Sequence, residues 1–185
     1  MTAYDLIIIG GGPSGLNVGL AAEKAGLNFL ILEKGVLVNS IYHFPTNMTF
    51  FSTSKNLEIG DTPIISHTDK PTCKEALEYY RRLQQAYNLK VKMYEPVQCM
   101  EAVVGADVYE IQTAKDTYRA RSVVVATGFY DTPRMLGVPG EDLSKVKHYY
   151  DDAHPYVGQK VLVIGAANSA CDVALETYQI GAEVT

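Results

Sequence analysis

Six residues, Gly10-Gly11-Gly12-Pro13-Ser14-Gly15, follow directly on the apolar run Leu6-Ile7-Ile8-Ile9. A glycine turn between a strand and a helix sets backbone N–H groups and the positive end of the helix against a pyrophosphate. In that arrangement Gly10 permits the tight turn and Gly12 admits the phosphates without a Cβ in the way. Gly15 lets the helix sit close to the strand. Glu33 follows Gly15 by 18 residues, at the end of the next apolar stretch, where a carboxylate accepts hydrogen bonds from ribose hydroxyls. The pattern predicts a dinucleotide site. A second loop, Gly165-Ala166-Ala167-Asn168-Ser169-Ala170, follows Val161-Leu162-Val163-Ile164. Two such loops in one chain point to two dinucleotides and to electron transfer between them.

The elements that must position these loops are legible around them. Tyr4–Ile9 reads as a strand, Ser14–Ala25 as a helix ended by Gly26, and Asn28–Glu33 as a second strand. The unbroken apolar runs suit a parallel sheet covered on both faces. Residues 34–71 show no sustained period, which marks a long functional loop. Thr72-Cys73-Lys74-Glu75 has capping-box spacing and opens a helix with Ala76, Tyr80, Leu83 and Tyr87 on one face. Val97–Val104 and Val108–Thr113 read as antiparallel strands around Gly105, and Tyr118–Ala126 as a further strand. The reading is an α/β chain: residues 1–130 form most of one domain, residues 131–158 a connection, and residues 159–185 the start of a second domain that repeats the strand–glycine turn–helix unit.

The composition excludes several classes. The formal charge is −5 with no Lys/Arg cluster, so binding to nucleic acid by phosphate neutralisation is not expected. No apolar run approaches the roughly 20 residues of a membrane span. Cys73, Cys99 and Cys171 lie far apart with neither CxxC nor metal-ligand spacing, which predicts buried or half-buried free thiols, no metal site and a reducing, cytoplasmic setting.

The first loop alone leaves NAD and FAD open. The apolar strand Val123-Val124-Val125 ending in Ala126-Thr127-Gly128 resembles the second flavin-contact motif of two-dinucleotide flavoproteins. The order GGGPSG, then Glu33-Lys34-Gly35, then Ala126-Thr127-Gly128, then Pro133…Pro139-Gly140-Glu141, then a second loop, resembles the thioredoxin-reductase-like flavoproteins. Asn39–Pro45 with Phe50–Thr53 and Leu57–Gly60, and His148–Tyr150 with Ala153–Tyr156, are similar to the YpdA family, associated with bacillithiol disulfide reduction. The resemblance spans the whole chain. It implies a Rossmann-like FAD domain with three layers, a mostly parallel sheet and an added antiparallel meander, followed by the start of a Rossmann-like NAD(P)H domain. Carried over by position, Gly10, Gly12, Pro13, Ser14 and Gly15 would line the FAD pyrophosphate, with Glu33 and Lys34 at the adenosine end and Val97 near the adenine. Ser40, Tyr42 and Phe44 would lie toward the flavin ring beside Ala126, Thr127 and Gly128. Gly165, Ala167, Asn168, Ser169 and Ala170 would meet NADPH, with NADH also open. The implied partner is a small-molecule disulfide, and the family leaves room for a homo-oligomer.

Three departures bear on mechanism. Where thioredoxin reductases carry a redox CxxC before the second loop, this chain has His148-Tyr149-Tyr150-Asp151, which excludes that dithiol route. Ser14 stands where relatives often carry a cysteine, so no thiol relay runs there. Ala167 stands where a glycine usually gives the closest approach to the nucleotide. No catalytic residue is assigned. His148 and His154 are either acid–base groups near a flavin or, more plainly, hydrogen-bonding groups at a domain interface; His43 would lie near the flavin, and His67 reads as loop surface. Two other functions stay open: a flavin monooxygenase, and an FAD-binding fragment without turnover. The latter follows because this architecture draws the last strands of its flavin domain from beyond the nucleotide domain, so the chain reads as C-terminally truncated.

Overall fold

A computed structural model describes residues 3–185. The chain divides into two compact units, one running to His43 and from Met48 to Arg134, the other formed by Phe44–Asn47 and Met135–Thr185. The first contains β1 (Tyr4–Ile9), α1 (Pro13–Lys24), β2 (Phe29–Leu32), α2 (Asn39–Tyr42), α3 (Ser54–Leu57), α4 (Cys73–Ala86), β3 (Val91–Lys92), β4 (Val97–Ala102), β5 (Tyr109–Thr113) and β6 (Thr117–Val125). The second contains β7 (Lys160–Val161), α5 (Asn168–Gln179) and β8 (Glu183–Val184), preceded by a 3₁₀ turn at His154–Tyr156.

The six strands of the first unit run in the order β3-β2-β1-β6-β5-β4, parallel from β3 to β6 and antiparallel through β5 and β4. This is the α/β sheet with an antiparallel meander that the sequence predicts. Period-2 alternation splits β1 between two cores. Ile8, with Phe29 and Ile31 of β2, faces α1: a Cβ built on Gly15 would lie 3.5 Å from Ile8, and one on Gly19 2.7 Å from Ile31. Ile7, with Leu30 and Leu32, faces a second cluster completed by Ile111, Tyr118 and Ala120 of the meander. Ile7 and Ile8 are both wholly buried, which explains why the run has no polar residue to mark a face. The layers are therefore helix, parallel sheet and meander.

The sequence misses β3, whose two residues are too few to carry a period, and the single turns α2 and α3 inside the segment expected to be a loop. The capping box forms as predicted: Glu75 N–H donates to Thr72 Oγ1 at 3.3 Å, and Thr72 N–H donates to Glu75 Oε2 at 2.7 Å. From α4, the Tyr80 hydroxyl donates to Leu57 O at 3.1 Å and the Tyr79 hydroxyl accepts from Ile59 N at 2.6 Å. Those two tyrosines order the 57–62 backbone.

In the second unit β7 and β8 pair in parallel, and the ladder continues as Val163 N–H donates to Thr185 O at 2.9 Å. Leu162 and Ile164 are each 68% exposed, and among the described residues α5 is the one α-helix of this unit. Among the described residues no helix is long and apolar enough to cross a membrane, and no group of three or more His, Cys, Asp or Glu is placed to hold a metal ion.

Candidate functional site

β1, β2 and β6 end flush, with Ile9 opposite both Leu32 and Val125. Their carboxyl ends bring the predicted residues Gly10, Gly12, Pro13, Ser14, Gly15, Glu33, Lys34, Ala126, Thr127 and Gly128 onto one edge, where open α/β sheets take ligands. Gly10 has φ +113°, and a Cβ there would overlap the carbonyl oxygen of Ala126. A Cβ on Gly15 would overlap the carbonyl of Gly10. Those two glycines are required by the protein's own packing. Gly12 is different. It is the N-cap of α1 at φ −76°, ψ −178°, an extended conformation open to any residue, and a Cβ there meets no protein atom within 4 Å. Pro13 occupies the first turn and no side chain caps the helix, which leaves first-turn amides directed at the space over Gly12.

Glu33 is 4% exposed. Its Oε2 accepts from Gly11 N at 2.6 Å and its Oε1 from Gly35 N at 2.9 Å, so the carboxylate braces the glycine loop in addition to the ribose role expected of it. From the carbonyl side of the same residue, in the next peptide unit, Val38 N–H donates to Gly11 O at 3.1 Å. Val38 adopts φ 49° while 1% exposed, a left-handed conformation that a β-branched residue rarely takes. The loop is thus held from both faces by the β2–α2 connection. Lys34 forms an ion pair with Asp131 at 2.6 Å.

Val97 opens β4 and packs on the meander-side cluster. The segment just before it is tied to the acidic end of β2, because Glu95 N–H donates to Glu33 O at 2.8 Å and Tyr94 N–H to Gly35 O at 3.0 Å. Glu95 is itself 5% exposed and accepts from the hydroxyls of Tyr118 and, at 3.1 Å, Thr113; Lys92 Nζ donates to the Tyr118 hydroxyl at 2.7 Å. Burial, then the Glu95 carboxylate, pushes the Tyr118 phenol up, and the bond to Tyr118 pushes the Lys92 ammonium up.

Ser40 is half-buried and Tyr42 is 58% exposed, both on α2, and Tyr42 meets the His43 ring edge-on at 5.1 Å between centroids. Phe44 falls in the second unit. His43 Nδ1 bonds Asn39 O at 2.8 Å, and His67 is exposed. Within the second unit, His148 Nε2 pairs with Glu141 Oε1 at 3.1 Å, so the hydrogen bond expected of His148 is made locally. The amide of Leu136 and then His148 hold Glu141 down to about 2. Burial, then Glu176, pushes the Tyr150 phenol up; its hydroxyl donates to Glu176 at 2.7 Å.

The second loop repeats the first with Ala166, Ala167 and Ala170 in place of Gly11, Gly12 and Gly15, and Asn168 in place of Pro13. Gly165 has φ 148°, and Ala167 is the N-cap of α5 at φ −96°, ψ 177°, close to the angles of Gly12. Ala167, Asn168 and Ser169 are exposed and Ala170 half-buried, with Ala170 N–H donating to Ala167 O at 3.0 Å. All three cysteines are free: Cys73 is buried, its Sγ donating to Ile41 O at 3.2 Å, and Cys99 is half-buried. Cys171 corrects the expectation, since it lies on the solvent face of α5 and is exposed. Val38, Gly35 and Asp131 are the neighbours of the site that the sequence reading misses. The Glu33-Lys34-Gly35 run hinted at Gly35; nothing local marks Val38 or Asp131.

A family model described as pyridine nucleotide-disulphide oxidoreductase matches residues 7–185. The chain is 46% identical, over all 185 residues, to the bacilliredoxin reductase Bdr of Bacillus subtilis. It superposes with a TM-score of 0.96 and 44% identity on the bacillithiol disulfide reductase Bdr (YpdA) from Staphylococcus aureus, over its full length and 56% of that protein. A flavin-containing monooxygenase from Stenotrophomonas maltophilia superposes at 0.87 with 26% identity, over the whole of this chain and 57% of that one. The chain spans 57% of the length of the Bacillus subtilis relative.

Proposed function

The chain belongs to the pyridine nucleotide-disulphide oxidoreductase family, and from that premise we propose that it supplies the FAD site and the start of the NAD(P)H site of a cytoplasmic reductase acting on a low-molecular-weight thiol disulfide. The observation that carries this reading is Gly12, a glycine the fold itself does not need, placed at an uncapped helix N-terminus beside a buried carboxylate. A residue without a Cβ, where a Cβ would meet only open space, fits a pyrophosphate approaching the backbone. The first unit, to His43 and from Met48 to Arg134, is the FAD unit of this reading, with Glu33 toward the adenosine ribose, Val97 toward the adenine, and Thr127-Gly128 with Ser40 and Tyr42 toward the flavin.

FAD held by these residues would supply two-electron chemistry linking NADPH to the disulfide, the hydride and one proton from solvent accounting for the two thiols formed. The chain's own residues bind and orient. Gly10 brings the first loop against Ala126 so that loop and strand end form one surface, and Glu33 and Val38 hold the two peptides that flank Gly11. Asn168, Ser169 and Ala170 take the second nucleotide at the start of α5, with the Ala167 methyl setting how closely it approaches. No CxxC takes part, because His148–Asp151 occupies that place.

The test is anaerobic. FAD-loaded protein, titrated with NADPH, loses its yellow flavin absorbance and then releases thiol from bacillithiol disulfide. Oxygenated product without thiol in a parallel assay in air points to the monooxygenase reading, for which the Stenotrophomonas likeness is the supporting observation. Bound yellow flavin that never bleaches points to an FAD-binding piece without turnover.

A further inference from the structure

The segment after β6 makes contacts that the cofactor assignment does not use. It leaves Val125 with Ala126 N–H donating to Ile9 O at 2.8 Å and the Ala126 carbonyl against Gly10. It turns at Gly128, φ 68°, and reaches two anchors within the same unit. The Tyr130 hydroxyl donates to His43 O at 3.2 Å, and Asp131 Oδ2 meets Lys34 Nζ at 2.6 Å. Lys34 lies two residues beyond β2, and β1 stands between β2 and β6. Two strand spacings of about 4.8 Å separate the segment's origin from its ionic anchor. The six residues 126–131 therefore pass the end of β1, where the glycine loop begins. Between the anchors Phe129 is 93% exposed.

We propose that Lys34 and Asp131 form a latch holding residues 127–131 as a strap across the carboxyl ends of β1 and β2, and that this latch lengthens the stay of a bound dinucleotide. The inference rests on the FAD reading above. Lys34 is a positioning residue here, acting through the strap, whereas a direct contact to the adenosine end would make Asp131 irrelevant. Side-chain exposures of 51% for Lys34 and 29% for Asp131 put the pair in the range of partly solvated ion pairs, whose loss changes a rate by about two- to fivefold.

The experiment compares Lys34→Glu, Asp131→Lys and the double exchange in the 185-residue chain. FAD release is followed by recovery of flavin fluorescence on dilution, and the strap by chymotryptic cleavage after Phe129. Each single variant is expected to release FAD about two- to fivefold faster and to be cut faster, and the double exchange to return both rates to within about twofold of wild type. Salt should accelerate release from wild type and leave the single variants unmoved. FAD uptake with release unchanged in the single variants, or a double exchange no slower than they are, overturns the latch alone. A wild-type chain that takes up no FAD overturns the proposed function and, with it, the claim on dwell time, while cleavage still reports whether the two residues restrain the strap.

Discussion

Gly12→Ala separates what the fold requires from what a ligand requires. Alanine at this position restricts the unfolded chain and stabilises by about 0.4–1 kcal/mol. It is also a poorer N-cap than glycine, which costs about 0.5–1 kcal/mol. The native angles, φ −76° and ψ −178°, and the 4 Å of clear space around the added methyl contribute no strain and no clash. The two contributions nearly cancel. At this chain length about 1 kcal/mol moves a thermal midpoint by about 2–4 °C, so the ligand-free midpoint should shift by less than about 2 °C. Ala167, at φ −96° and ψ 177° on the N-cap of α5, already shows the conformation with alanine in place. FAD affinity should fall at least about tenfold, equivalent to about 1.4 kcal/mol, because the methyl enters the space where the pyrophosphate meets the backbone. Thermal unfolding without ligand and a flavin-fluorescence titration measure the two effects separately. A midpoint lowered by more than about 4 °C, or an unchanged FAD affinity, refutes the reasoning.

Thr72→Ala removes the capping box of α4 and should destabilise by about 1 kcal/mol, read as a lower urea midpoint at unchanged slope. Tyr118→Phe takes one of two hydroxyl donors from the buried Glu95 carboxylate and should cost about 1.5–3 kcal/mol in the same assay. Acid should weaken the second unit through Glu141, whose carboxyl is held down to about 2 from 4.5. A lowered folded pKa gives stabilisation that is present above about 4.5 and lost as pH falls toward 2. Tyrosine circular dichroism between those limits should show the loss, reduced in Glu141→Gln.

The elements that survived from sequence to structure are those whose signal is local. The first loop, its strand and helix, and the Thr72–Glu75 box all depend on spacings of six residues or fewer, and each formed within a residue or two of its expected bounds. What escaped is made by residues far apart in the chain. Glu33 was recognisable as an acid at the right distance, but its two amide partners follow from how the β2–α2 connection folds back on the loop. Val38 carries no mark, since its left-handed backbone is one that glycine or asparagine usually announces. Lys34 and Asp131 meet across 97 positions of sequence. Helical spacing revealed the buried face of α4, yet gave no hint that Tyr79 and Tyr80 would spend their hydroxyls on residues 57–62.

The contact between Gly10 and the Ala126 carbonyl has a consequence for engineering and for divergence. The two turns press against each other with no room for a single methyl, so neither can lengthen, shorten or change register while the other stays fixed. Transplanting residues 4–33 alone into another parallel sheet would move only half of the interlocked pair. The portable module is residues 4–38, which include the Gly35 and Val38 contacts, together with 117–128, moved as one piece.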